Sequence, residues 1–208
     1  MTTRARPIET LTEEQVITLI KAASGRSPSG VRNRAIIAVL YYAGLRIGEA
    51  LALRVRDVDL ERGQVEVLRG KGARQRVAAL LPAGVPYVER WLRAWGEIDL
   101  GPRAPLFCTI SRGANPLVVR GMAPGRPLSR PYVHTTLQRL AARVGIEGRV
   151  HPHGLRHSHA RLLAERGAMM PDVRDQLGHS SLATTSRYLA SFAPEGRVRR
   201  LRVDPAAP

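Results

Sequence analysis

The chain has 208 residues, 44% of them hydrophobic and 24% charged, which bounds it to one globular domain, or one and a fraction, with room for a good core. Its net charge of +16 is spread along the whole chain and favours a polyanionic partner, nucleic acid before a membrane surface. The longest apolar run, Ala35 to Leu45, is too short to span a bilayer, the first ten residues hold no signal-peptide core, and a single cysteine, Cys108, excludes an intramolecular disulfide framework, so a cytosolic protein is expected.

Residues 1–10 read as an arm. Thr12 then caps a helix with acids in its first turn and Val16, Leu19 and Ile20 at helical spacing. Residues 24–30 read as a loop, and Val31 to Ala43 as an apolar helix central to the core. Gly44 breaks that helix. A short helix over Arg46 to Leu53 follows, turning Leu45, Ala50, Leu51 and Leu53 inward and placing Arg46 and Glu49 together on another face.

The period then changes to two over Gln64 to Leu68 and part of Gln75 to Leu81, with a glycine-rich turn at 70–73, which predicts a β-hairpin closed by Pro82. Val85 to Ile98 predicts a helix with Val88, Trp91, Leu92 and Trp95 on one face. Residues 99–128, rich in Gly, Pro and Arg, surround one expected short strand, Pro105 to Ile110. Helices are predicted from Ser129 to Val144 and from Pro152 to Arg166, each stopped by glycine, then over Pro171 to Leu177 and about Leu182 to Ser191. A basic tail, 193–208, ends the chain. There is no internal repeat, and the pattern is mainly helical with one small antiparallel sheet.

Four stretches carry residues suited to chemistry on a phosphate: GLRIGEAL around Arg46, the hairpin RGKGARQRV around Lys71, HPHGLRHSHA with His153 and Arg156 three apart, and LGHSSLATTSRYL with His179 and Tyr188. Singly, each has an ordinary reading. Arg46 and Glu49 could be an exposed ion pair. His151, His153, His157 and His159 could be zinc ligands. Tyr188 could be a core or interface aromatic. Lys71 is one of only two lysines among 33 basic residues, the other being Lys21, and a GC-rich genome could explain the arginine bias.

Together and in this order, the four stretches resemble the catalytic domain of the tyrosine recombinases, the phage integrase family. The resemblance runs from about Leu11 to about Phe192, so the expected catalytic domain is 11–192. It implies a mainly α fold with a small antiparallel sheet, double-stranded DNA as partner, tetramers on paired sites, and no metal or nucleotide cofactor. Position by position it maps the catalytic set onto Arg46, Lys71, His153, Arg156, His179 and the nucleophile Tyr188, with Glu49 in support. The helical N-terminal DNA clamp of many relatives is expected to be absent from this chain. His159 stands where many relatives carry a larger apolar residue, and a partly exposed helix position is expected for it.

The residue types fit the implied roles. Two arginines can hold the non-bridging oxygens of a phosphodiester with fixed forks of donors. A tyrosine phenol is a modest nucleophile and a tolerable later leaving group, which suits reversible exchange. His153 can assist its deprotonation, His179 can bond the phosphate, and Glu49 can orient Arg46 or its neighbours. Lys71 can protonate the departing 5′-oxygen, because neighbouring charge lowers a lysine pKa but leaves arginine protonated. The expected activity is site-specific recombination or integration through a 3′-phosphotyrosyl link, in the cytoplasm at the nucleoid. A type IB topoisomerase-like reaction, a hairpin-end-forming reaction, and a non-catalytic DNA-binding protein of the same fold are the alternatives.

Overall fold

A computed structural model describes residues 10–68, 75–96, 104–110 and 125–179. Helix α1, Glu13–Ala22, starts at a capping box: the Thr12 hydroxyl accepts from the Gln15 N–H, and the Gln15 side chain reaches back to the Thr12 N–H. Val16, Leu19 and Ile20 are buried, as their spacing predicts.

Helix α2, Pro28–Tyr42, is the centre of the core and is apolar nearly all round, with twelve of its fifteen residues buried. It begins inside the expected 24–30 loop, because Ser27 caps it and Pro28 sits where a missing N–H is harmless. Helices α1, α4 (Val85–Gly96) and α6 (Pro152–Glu165) pack around it. Arg32 is enclosed with α2. It donates to the Cys108 carbonyl at 2.7 Å and to the Tyr132 hydroxyl of α5 (Arg130–Arg143).

After α2 comes the short helix α3, Ile47–Ala52, and then a three-stranded antiparallel sheet of β1 (Val58–Asp59), β2 (Gln64–Val67) and β3 (Arg76–Ala79) in that order. β1 is too short to leave a period-two pattern and was not anticipated. β2 alternates as predicted, with Val65 and Val67 buried. In β3 the pairing of Val65 with Ala78 puts Ala78 inward and leaves Val77 exposed, so Arg76, two residues from Ala78, turns to the inner face. The turn of the hairpin lies outside the described residues.

On α4, Val88, Trp91 and Trp95 are buried and Leu92 partly so, as predicted. The two indoles donate to the carbonyls of Leu106 and Pro105, and the Leu106 N–H bonds the Leu53 carbonyl. That pins residues 105–108 as an extended segment. The strand expected over Pro105 to Ile110 does not form, because its polar groups go to side chains and loops. Among the described residues it makes isolated bridges, Arg54 with Pro105 and Cys108 with Pro127.

Ser129 caps α5, and His151 caps α6, its Nδ1 accepting from the Gly154 N–H at 3.1 Å. Helix α7, Met170–Leu177, ends at Gly178 in the left-handed conformation. The helix expected over 182–191 lies outside the described residues. His159 corrects the sequence expectation: it is 0% exposed, not partly so. Helix α6 packs on α2, and its His159 fills the space left by the missing side chain of Gly44.

Candidate active site

Gly44 follows α2 at φ 62°, a conformation that favours glycine, and turns the chain into α3. Arg46 is the N-cap of α3. Glu49, three residues on, reaches back: its Oε2 accepts from the Arg46 N–H at 2.9 Å and its Oε1 from Arg46 Nη1 at 2.8 Å. One carboxylate thus caps the helix and holds the arginine that precedes it, so the sequence-predicted i, i+3 pair is real and has a backbone purpose. The Arg46 side chain stays 42% exposed.

Helix α6 brings the second arginine. Arg156 is 2% exposed and spans two elements, Nη1 donating to the Gly44 carbonyl at 2.7 Å and Nη2 to the Leu177 carbonyl at 2.5 Å. Arg46 Nη2 donates to the next carbonyl, Gly178, at 3.2 Å. Both arginines therefore hold the last turn of α7, and the residue after that turn is His179. Glu49 lies between the two cations, with Arg156 Nη1 3.9 Å from its Oε2.

A third arginine completes the cluster. Arg76 of β3 donates from Nη2 to Glu49 Oε2 at 3.0 Å, and from Nε to the Gln176 carbonyl at 3.4 Å. It was missed by the sequence reading. Its only signal is an arginine on the inward face of a strand, and that face is known only once the register is known. Gln176 ties the same place together. Its amide accepts from the Ala79 N–H and donates to the carbonyls of Ala79 and Ala43, at 2.8, 2.8 and 3.1 Å. A side chain thereby covers part of the outer edge of β3.

Four histidines flank the arginines. The rings of His151 and His153 stack at 6.4 Å, and those of His153 and His157 meet edge to face at 4.1 Å. Burial, then Arg156, His151 and Arg46, lowers the His153 pKa. Burial, then Arg156, Arg46, His153 and Arg76, takes His179 down to about 4. Both rings are therefore neutral near pH 7 and have a nitrogen able to accept a proton or a hydrogen bond. Burial opposes ionisation of Glu49, but the Arg46 N–H and the guanidiniums of Arg76 and Arg46 outweigh it and hold its carboxyl below the usual range. Among the described residues no three of His, Cys, Asp and Glu are grouped to hold a metal ion.

Of the seven sequence-predicted residues, five converge here: Arg46, Glu49, His153, Arg156 and His179. Lys71 and Tyr188 lie outside the described residues. What is assembled is a concentration of positive charge with an exposed guanidinium, neutral imidazoles and one acid that orients the cations, a chemistry suited to an anionic oxygen centre.

The phage integrase family model matches residues 9–195. The tyrosine recombinase XerD of Mycobacterium tuberculosis is 40% identical over 187 residues, covering 86% of this chain and 56% of the relative. Among solved structures, the XerA recombinase superposes with a TM-score of 0.72 at 26% identity, covering 93% of this chain and 63% of that one. The site-specific recombinase XerH, in a post-cleavage complex with a palindromic difH substrate, superposes with a TM-score of 0.73 at 25% identity, covering 94% of this chain and 53% of that one. The chain spans little more than half the length of the XerD relative it matches.

Proposed function

The chain belongs to the phage integrase family, and from that premise we propose that it cleaves and rejoins DNA strands, as in site-specific recombination or integration, with residues 11–192 as the catalytic unit. The observation that carries this reading is the convergence of Arg46 from the start of α3, His153 and Arg156 from α6 and His179 from the end of α7, with the Glu49 carboxylate between the two arginines. A relative named as a tyrosine recombinase, and a site-specific recombinase captured in a post-cleavage complex with its difH substrate, support the substrate class.

In the proposed reaction the Tyr188 oxygen attacks a scissile phosphate while His153 takes up the phenol proton. The phosphorus–O5′ bond breaks, Lys71 gives a proton to the departing oxygen, and a 3′-phosphotyrosyl link remains. A 5′-hydroxyl of another strand then attacks that link and releases Tyr188. Arg46 and Arg156 offset charge on the non-bridging oxygens, and His179 bonds one of them. A second round of exchange, within a tetramer on paired sites, resolves the junction. The work is placed in the cytoplasm, at the nucleoid. Binding should weaken steeply with salt, because phosphate neutralisation releases counterions.

The test uses nicked duplexes, selected for binding from a random-sequence library, in which loss of a short strand makes cleavage irreversible. A covalent adduct at Tyr188, formed with chelator present and absent from Tyr188→Phe, is the expected result. No adduct on any selected duplex, or an equal adduct with Tyr188→Phe, overturns the reading. Junction formation separates recombination from the monomeric relaxation of a topoisomerase.

A further inference from the structure

An acid between two phosphate-binding arginines is an electrostatic problem. Glu49 orients Arg46, but its charge also opposes the field that Arg46 and Arg156 direct at a phosphate. Left alone in a largely enclosed site, it would draw both guanidiniums toward itself. Arg76 answers this. Its Nη2 lies 3.0 Å from Glu49 Oε2, and the two side chains are 12% and 10% exposed, so solvent screens the pair little. The same Oε2 accepts from the Arg46 N–H and faces Arg156 at 3.9 Å. With Arg76 the three arginines exceed the acid by two charges; without it, by one.

The placement of Arg76 is fixed from three sides. Strand pairing sets it opposite Val67 and on the face of buried Ala78. Its Nε reaches the Gln176 carbonyl, one residue before the carbonyl held by Arg156. Glu49 Oε2 accepts from its Nη2. The side chain therefore belongs to the site, although it lies on none of the four sequence motifs' marked positions.

We propose that Arg76 is a positioning residue that neutralises and anchors Glu49, so that the carboxylate can orient Arg46 without pulling Arg46 and Arg156 away from the scissile phosphate. This rests on the strand-cleavage reading above. It makes a particular prediction about coupling: the need for Arg76 should vanish when Glu49 carries no charge.

The experiment is a double-mutant cycle of Arg76→Gln and Glu49→Gln, read as the rate of adduct formation on the nicked duplex. Arg76→Gln should slow adduct formation by about twentyfold or more and Glu49→Gln by about fivefold, the scale of lost charge-assisted contacts. The double variant should match Glu49→Gln alone, and so cleave faster than Arg76→Gln. A double variant slowed by the product of the single effects would overturn the proposal, since Arg76 would then act independently of the acid, as a phosphate contact or a strand prop would. Arg76→Lys, which keeps the charge and loses the fork, should fall between wild type and Arg76→Gln; thermal melts confirm that it folds.

The same cycle is read without turnover by titrating inorganic sulfate against the imidazole resonances of His153 and His179. Arg76→Gln should bind sulfate at least about fivefold more weakly than wild type, and the double variant should equal Glu49→Gln. Coupling in sulfate affinity with no wild-type adduct would sink the cleavage reading and keep the positioning role. A normal wild-type adduct with independent effects in both readouts would do the reverse.

Discussion

The His159 ring lies against Gly44 so closely that a β-carbon on Gly44 would stand 2.3 Å from His159 Cδ2. Gly44 is also at φ 62° and its carbonyl receives Arg156. Gly44→Ala therefore meets a left-handed backbone, a filled space and the carbonyl that holds Arg156 at once. It should destabilise the fold by about 2–5 kcal/mol, combining the backbone penalty with overpacking. Urea unfolding checks this. Adding His159→Ala to Gly44→Ala should return part of the loss, because the two side chains compete for one volume.

His159 makes the fold acid-sensitive. Among the described residues neither ring nitrogen has a hydrogen-bond partner of ordinary geometry. Burial takes its pKa down to about 3, offset only in part by the nearby Tyr41 backbone. An unfolded histidine binds a proton near pH 6.5 and the folded one does not until about 3, so the native state loses ground as pH falls through that window, by about 1.4 kcal/mol per unit. Burial holds His157 near 3 and acts in the same direction. His159→Phe should remove one histidine's share. Between pH 6.5 and 5.5 the fall in unfolding free energy should be shallower by about 1 kcal/mol. At pH 7.5 the variant should be more stable by roughly 1 kcal/mol, because no ring nitrogen is left unpaired. Urea titrations at the three pH values measure both, and an unchanged slope would show that the imidazole is protonated in the native state.

The elements whose faces repeat in sequence were legible: the Thr12 cap, the apolar α2 and the tryptophan face of α4 follow from local pattern. The five described catalytic candidates were also legible, but through resemblance to a family and not through spacing, since Arg46 and His179 meet only in the fold. What could not be read is tertiary. Arg76 needs the strand register to face inward, and Val77 beside it carries the stronger apolar signal yet points to solvent. The burial of Arg156 and His159 depends on how α6 seats against α2 and α7. The extended run at 105–108 looks like a strand because its composition suits one, while its hydrogen bonds go to two indoles, the Arg32 guanidinium and the backbone of Leu53 and Leu128.

Gln176 should matter more than a surface amide. Its three bonds join α7 to β3 and to Ala43, a residue fully enclosed in the core. Gln176→Leu keeps most of the volume and strands the Ala43 carbonyl, a cost of about 1–3 kcal/mol. Gln176→Glu should cost more, because a carboxylate oxygen would replace the donor that faces two carbonyls. Thermal melts rank the variants. Glu ranking above Leu would show that the Ala43 and Ala79 carbonyls do not depend on this amide.

Arg46 and Arg156 should fail differently when removed. Arg46 is half-exposed and its side-chain bonds are to Glu49 and the Gly178 carbonyl. Arg46→Ala should leave stability within about 1 kcal/mol of wild type while slowing adduct formation by about a hundredfold. Arg156 is enclosed and bridges Gly44 to Leu177. Arg156→Ala strands two carbonyls and should destabilise by about 2–4 kcal/mol, and it releases the turn that leads into His179. A methylphosphonate at the scissile position separates the two losses. It replaces a non-bridging oxygen by methyl and is uncharged, so less charge is left for an arginine to offset and Arg46→Ala should regain most of its rate on that strand. Arg156→Ala should regain little, because its defect is also one of geometry. Equal rescue of both variants would mean that Arg156 acts on the phosphate charge alone, and that its two carbonyl bonds do nothing to hold His179 in place.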